Sequence, residues 1–254
     1  MASIYESADI YDLLDNEDNY LIYQRHWETI LRNRHIETFL DISIGSGSVT
    51  LPLSALGVQL TGSDLSETML QNCRKKAQAR NLSVKLQCCD FRVIAEHFTG
   101  KYDCVASTGN SLPYVNNEDV LKTLEQMDSF IKPGGYLYFD SRNWDMIIKE
   151  KPRFYLYNPF FNGDTRINLI QVWDYHDDGS VTFNLLYTFE KDNQIFRKEK
   201  FEEHYIPISK KTILDKLQKM GYKEISVMPF PSYSQNTNID IEKVDWYCVI
   251  AQKS

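Results

Sequence analysis

The sequence predicts an α/β fold: a doubly wound, seven-stranded, mostly parallel sheet with an inserted antiparallel β lid. Three observations predict it. From residue 38 to 140, short apolar runs alternate with stretches of helical period. That alternation is the pattern of a parallel sheet covered on both faces. Glycine and acidic clusters recur where the apolar runs end, and such sheets bind ligands at the carboxyl ends of their strands. Near residue 181 the period switches to two. Val181, Phe183, Leu185, Tyr187 and Phe189 alternate with mostly polar neighbours, as in a half-buried antiparallel strand.

The elements follow in order. The first 35 residues are rich in Tyr and charge, and Leu21, Trp27, Ile30 and Leu31 place an amphipathic helix at their end. Residues 38–44 read as a buried strand opening into Gly45-Ser46-Gly47. Residues 49–56 read as a short helix closed by Gly57, and 58–61 as a second strand ending at Gly62-Ser63-Asp64. Ser66 is a suitable N-cap for a helix through Ala79 that buries Met69, Leu70, Cys73 and Ala77. Strands at 84–88 and 102–107 end at Asp90-Phe91 and Thr108-Gly109-Asn110. A helix marked by Val120, Leu124, Met127 and Ile131 is stopped by Pro133-Gly134-Gly135, and 136–140 is the fifth strand. Asp177-Asp178-Gly179 and Lys191-Asp192-Asn193-Gln194 are turn signals around the 181–189 strand. Residues 209–220 return to a helix, and strands near 225–228 and 246–251 add an antiparallel edge. The expected organisation is one main domain, 1–149 and 206–254, with 150–205 inserted over the site.

Composition narrows the function classes. The chain has 254 residues and a net charge of −7, so a basic nucleic-acid-binding surface is not expected. Its first residues lack a basic segment followed by an apolar run, so no secretory leader is expected. The uncharged stretch 42–63 is rich in Ser and Gly and is not a membrane span. Five Cys without a C-x-x-C read as reduced thiols of a cytoplasmic protein, with Cys88-Cys89 as strand packing and no metal site.

The chemistry-bearing residues lie at the strand ends. Asp41-Ile42-Ser43-Ile44-Gly45-Ser46-Gly47 lets a ligand approach the backbone closely. Thr50 stands where a dinucleotide fingerprint has its third glycine, which disfavours a pyrophosphate cofactor. Asp64 can accept both hydroxyls of a ribose; its alternative is a turn residue. Asp90-Phe91 suits an adenine, through a carboxylate for the amino group and a ring to pack on; its alternative is a loop acid beside a core ring.

These three sites in this order resemble the class I S-adenosylmethionine-dependent methyltransferases, with Ser43 where that family usually has Gly or Ala. Gly109-Asn110-Ser111-Leu112-Pro113-Tyr114 and Asp140-Ser141-Arg142-Asn143-Trp144-Asp145 are further similar to the glycine/sarcosine N-methyltransferases. The resemblance implies S-adenosylmethionine as cofactor, S-adenosylhomocysteine as product, and an acceptor bearing an amine and a carboxylate. It implies Arg142 on the acceptor carboxylate and Asn110 facing the amine, with its amide oxygen orienting the lone pair. Tyr205, in Glu203-His204-Tyr205-Ile206-Pro207, and Tyr114, where close relatives often have His, complete the implied acceptor site. Around the cofactor it implies Asp41, Ser43, Gly45, Gly47, Asp64 and Leu65, then Met69, Asp90, Phe91 and Thr108. Tyr11, Tyr20 and Tyr23 belong to a Tyr-rich N-terminal segment that closes over the cofactor in many such enzymes. The alternatives are an internal pair of Arg142 with Asp140 or Asp145, a loop-tying role for Asn110, and plain helix packing for the three tyrosines. His204 is the nearest candidate for a general base. An aminosugar or other small-molecule N- or O-methyltransferase, a catalytically silent cofactor-binding module and a nicotinamide oxidoreductase are the competing readings. The aromatic-rich insertion serves equally as a lid or as an interface between copies of the chain.

Overall fold

The computed structural model describes residues 3–232 and 239–254. Strands β1 (Thr38–Asp41), β2 (Gln59–Asp64), β3 (Val84–Cys88), β4 (Tyr102–Ser107) and β5 (Ile131–Arg142) form the parallel part of a seven-stranded sheet. Its order runs β3-β2-β1-β4-β5, then two late strands. Between the strands lie helices α1 (Ala8–Tyr11), α2 (Glu17–Leu31), α3 (Leu51–Ser54), α4 (Glu67–Ala79), α5 (Asn117–Ser129) and α6 (Trp144–Glu150). An antiparallel sheet follows: β6 (Phe154–Leu156), β7 (Phe160–Asn162), β8 (Thr165–Tyr175), β9 (Val181–Lys191) and β10 (Gln194–Tyr205). Helix α7 (Lys210–Lys219) leads back to β11 (Lys223–Pro229) and β12 (Trp246–Gln252), with β12 antiparallel to β5 and β11 antiparallel to β12.

Adjacent strand residues point to opposite faces, so a sheet covered on both sides needs two apolar sets. Phe39 joins Trp27, Ile30, Leu51, Leu70 and Cys73 from α2, α3 and α4. Its neighbour Leu40 joins Val120, Leu124, Met127, Ile213 and Leu217 from α5 and α7. The antiparallel sheet builds a third cluster, into which the N-terminal Ile4 and Ile10 insert beside Trp144, Phe183 and Tyr205. The first residues of the chain thereby lie between the two sheets.

The helix starts match the sequence reading where a side chain caps them. Ser66 Oγ accepts the Met69 N–H at 3.3 Å, and Met69, Leu70, Cys73 and Ala77 are all buried. Elsewhere boundaries move. Leu21 is 41% exposed, whereas Trp27 and Ile30 are buried as expected and His26 joins them. Helix α5 ends at Ser129 and β5 begins at Ile131, ahead of Pro133-Gly134-Gly135, because Ile131 pairs with Tyr102 and the glycines fill a register shift before Tyr136 meets Cys104. Cys89 is buried, whereas Cys88 is exposed and is not strand packing.

Gly47 holds the first loop against α4. Its φ is +81°, and a Cβ would meet Leu51 Cγ at 2.7 Å and Cys73 Sγ at 2.8 Å. Left-handed strain costs about 1–2 kcal/mol and overpacking about 1–3 kcal/mol. Gly47→Ala is therefore expected to lower the free energy of unfolding by about 2–5 kcal/mol, read as a shift of the urea midpoint. The same geometry makes Gly47 a packing glycine.

Candidate active site

A cavity of about 600 Å³ opens at the carboxyl ends of β1 and β2. Ile42, Ser43, Asp64, Leu65, Phe91 and Ser111 are among its walls. Asp64 closes β2 and is fixed by two backbone donors: Oδ2 accepts from Gly45 N at 3.0 Å and Oδ1 from Ser66 N at 2.8 Å. Gly45, at φ +56°, would place a Cβ 4.0 Å from Asp64 Oδ2. Burial pushes the Asp64 carboxyl above its usual range, and among the described residues no cation pairs with it. A carboxylate offers about four acceptor positions, of which the backbone uses two. What it lacks is a pair of neutral hydroxyl donors, and a ribose diol supplies them. Leu65, 70% exposed at the rim, and the Phe91 ring offer apolar surface for a flat base. The residues present therefore fit an adenosine group.

Several residues of the implied cofactor set turn elsewhere. Asp41 is fully buried beneath the loop, accepting from Thr108 Oγ1 at 2.7 Å, Thr50 Oγ1 at 3.0 Å and Ser43 N at 3.1 Å. Burial pushes it up to about 6 despite those donors. Asp41 and Thr108 thus shape the loop rather than meet a ligand. Met69 is likewise fully buried, its Cε packed under Gly45. Asp90 takes Arg92 N at 2.8 Å and the Arg92 guanidinium at 2.5 Å, an ion pair within its own loop that leaves only Phe91 on the cavity wall. Tyr20 lies under the Arg80 guanidinium at 3.6 Å on the far side of α2, away from both site cavities.

Behind the first cavity lies a second, of about 220 Å³, between the two sheets. Tyr11, Tyr23, Gly109, Asn110, Arg142 and Tyr205 line it. The N-terminal segment roofs both cavities. Ser66 Oγ donates to Tyr5 O at 2.9 Å on one side, and Lys76 Nζ ties Asp12 at 2.7 Å and Asp15 at 2.5 Å to α4 on the other.

Arg142 ends β5 and is 8% exposed. Its guanidinium carbon lies 4.8 Å from the Trp246 ring centre, 5.2 Å from Phe183, 5.4 Å from Trp173 and 5.7 Å from Tyr155. Among the described residues no carboxylate pairs with it. Both internal partners considered from sequence are engaged elsewhere. Asp140 accepts Gly109 N at 3.0 Å and Trp246 Nε1 at 3.0 Å, and Asp145 accepts Lys210 N at 3.1 Å. Burial pushes Asp140 up to about 7. A buried cation without an anion is costly, and the aromatic faces offset part of that cost.

Asn110 sits at φ +58° and is 2% exposed. Its Oδ1 accepts from Arg142 N at 3.0 Å, Trp144 Nε1 at 3.0 Å and Ser141 Oγ at 3.2 Å. Two of these donors carry N–H groups that only an oxygen can satisfy, so the amide orientation is fixed. The expected role of that oxygen is thereby overturned: it is spent on holding the Ser141-Arg142-Asn143-Trp144 turn. Only the amide nitrogen is left for a ligand.

Sequence reasoning missed Tyr5 and Glu203. Tyr114 Oη lies 2.7 Å from Tyr205 Oη and 2.9 Å from Tyr5 Oη, and it donates to Glu203 Oε2 at 3.1 Å. His204, the candidate base, is exposed on the opposite face of β10, its Nδ1 3.3 Å from Thr182 Oγ1. Period two along β10 was the available signal: Glu203 and Tyr205 share a face that His204 cannot.

A family described as a methyltransferase domain matches residues 39–135, which span β1 to the start of β5. The glycine/sarcosine N-methyltransferase of Aphanothece halophytica is 26% identical over 228 residues, covering 88% of this chain and 78% of that one. The glycine/sarcosine/dimethylglycine N-methyltransferase of Actinopolyspora halophila is 25% identical over 249 residues, but this chain spans only 40% of its length. In fold, the chain is similar to an S-adenosylmethionine-dependent methyltransferase from Clostridium acetobutylicum, with a TM-score of 0.76 at 18% identity over 98% of both chains. The matched region carries Asp64 and Phe91, which line the first cavity. Residues 39–135 carry a methyltransferase domain, and the chain is similar to class I S-adenosylmethionine-dependent methyltransferases in sequence and in fold.

Proposed function

We propose that this methyltransferase acts on the amine nitrogen of a small amino-acid-like molecule whose carboxylate is held by Arg142. The observation that carries the reading is the Arg142 guanidinium, buried in an aromatic box without an acidic partner at the wall of the inner cavity. A carboxylate entering that box gains two charge-assisted hydrogen bonds in a site whose desolvation is already complete. The names of the N-methyltransferase relatives support the same acceptor class.

In this reading residues 1–149 and 206–254 hold the cofactor, and 150–205 close the acceptor pocket. Gly45, Asp64 and Phe91 seat the adenosine, and Tyr11 and Tyr23 border the tail. Bound S-adenosylmethionine supplies an already activated methyl group. The chain's own contribution is placement, and alignment of two reactants accounts for about 7–11 kcal/mol of such a barrier. Asn110 fixes the turn that aims Arg142, and Arg142 in turn sets where the amine stands. The roof of Ile4 and Tyr5 keeps water out.

The test is calorimetric titration with S-adenosylmethionine and S-adenosylhomocysteine, with NAD as control, followed by a methyl-transfer screen over glycine, sarcosine, the L-amino acids and amino sugars. Turnover is expected on an amino acid. Turnover on amino sugars alone, unaffected by Arg142→Ala, would overturn the reading.

A further inference from the structure

The Tyr205–Tyr114–Glu203 chain is used by nothing described so far. Tyr114 has a single hydroxyl hydrogen and gives it to Glu203 Oε2 at 3.1 Å. Tyr114 must therefore accept from both Tyr205 at 2.7 Å and Tyr5 at 2.9 Å. That fixes the direction of the chain: Tyr205 donates to Tyr114, and Tyr114 donates to the carboxylate. Tyr205, its hydrogen committed, keeps an acceptor lone pair, and it lines the inner cavity together with Arg142 and Asn110.

We infer that Glu203 is the proton acceptor for the substrate amine, reached through Tyr205 and Tyr114. The inference rests on the amine-methylation reading above. An amine that titrates about three pH units above neutrality arrives as an ammonium ion, and reaching the neutral form unaided costs about 4 kcal/mol. In the relay an ammonium N–H passes its proton to Tyr205 Oη, the Tyr205 proton moves to Tyr114 Oη, and the Tyr114 proton moves to Glu203 Oε2. The amine is left with a lone pair and Glu203 becomes a neutral carboxyl. The lone pair then forms the N–C bond to the methyl carbon as the C–S bond breaks, its electron pair leaving on sulfur. The product is an N-methylammonium ion and a thioether, and Glu203 returns its proton to solvent.

The surroundings of Glu203 suit an acceptor. It is 5% exposed. Burial pushes its carboxyl above the usual range, while the Ile4 N–H and the Ser3 and Tyr114 hydroxyls oppose this. Glu6 and Tyr5 face it from the N-terminal segment, Tyr114 from the loop after β4, and Tyr205 from β10 itself. Arg142, on β5 at the wall of the same cavity, acts on Tyr205. Oε1 is occupied separately, accepting Ser3 Oγ and Ile4 N at 2.8 Å each. One carboxylate oxygen holds the roof and the other ends the relay.

Glu203→Gln keeps an oxygen for the roof and removes the acceptor. With S-adenosylmethionine as donor, each of glycine, sarcosine and the L-amino acids serves as acceptor, and kcat/KM is followed from pH 6.5 to 9.5. The wild type is expected to be nearly flat above the Glu203 titration. E203Q is expected to be about 10²-fold slower at pH 7, the usual worth of a positioned base, and to rise about tenfold per pH unit until it comes within about threefold of wild type. Tyr114→Phe cuts the relay and should tilt the profile in the same way. Because Tyr114 and Glu203 also border the first cavity, calorimetry measures the S-adenosylmethionine affinity of both variants and the rates are taken at saturating cofactor. A loss that is equal at every pH makes Glu203 a roof clamp only and overturns the relay. A wild type that methylates no amine overturns the amine reading and the relay with it.

Discussion

Arg142→Met is expected to lower kcat/KM for the amino-acid acceptor by about 10²–10⁴-fold and, without ligands, to raise the melting temperature. The first effect follows from two lost hydrogen bonds to a charged group, each worth about 1.5–3 kcal/mol, against 1.4 kcal/mol per decade. The carboxylate does not change charge during methyl transfer, so it is bound alike before and at the transition state, and most of the loss should fall on KM. The second effect has the opposite sign because the guanidinium is buried without an acid, among Trp246, Phe183, Trp173 and Tyr155. Cation–π contacts return about 0.5–2 kcal/mol, less than the several kcal/mol that desolvating an unpaired ion costs. Met fills a similar volume and makes favourable contacts with the rings. A gain of about 1 kcal/mol corresponds to about 2–4 °C in a chain of this size. Arg142→Lys keeps the charge but loses the fork, and should recover no more than about tenfold of the lost activity. Initial-rate kinetics and a thermal melt decide the matter. Full activity in R142M would remove the carboxylate clamp, and a lowered melting temperature would mean that the box is built around the cation for stability.

How far the site was legible in sequence depends on which physical rule places each residue. Asp64 and Arg142 were legible because a strand's carboxyl end is readable from its apolar run, and the polar residue that closes the run stands at the sheet's edge. The orientation of Asn110 was not legible: it is set by donors from Ser141, Arg142 and Trp144, some thirty residues later, converging on one oxygen. Asp90 misled for a local reason, since Arg92 two residues on reaches back to neutralise it. Glu203 was hidden by composition. In Glu202-Glu203-His204 a charged run reads as a solvated strand face, yet Glu203 is buried beneath the N-terminal segment. Period two puts Glu203 on the face of Tyr205, but what buries it is that segment, distant in sequence. The short strands β6 and β7 lacked a signal of either kind: Phe154, Leu156 and Phe161 are each more than 60% exposed, so no buried alternation marks them.

Asp64→Ala is expected to weaken S-adenosylmethionine and S-adenosylhomocysteine binding by about 10²-fold each. The equality is the informative part. Asp64 faces the cavity that fits adenosine, and the two molecules share that half, so a group acting on the ribose cannot distinguish them. The magnitude follows from two hydroxyls donating to a carboxylate, at about 1.5 kcal/mol apiece at the lower end of charged hydrogen bonds. Part of the loss is indirect, because Asp64 Oδ2 also holds the Gly45 N–H and Oδ1 the Ser66 N–H. Asp64→Asn alters both contributions at once. Its amide oxygen can keep one backbone donor, but its NH₂ group meets the other donor and cannot accept from a hydroxyl. D64N should therefore lose almost as much affinity as D64A. Adenosine alone is the sharpest probe. It lacks the amino-acid tail, so its weaker binding should fall by the same factor in D64A. If adenosine binding is unchanged while S-adenosylmethionine binding falls, Asp64 acts on the tail through the Gly45 loop, and the ribose must be held elsewhere.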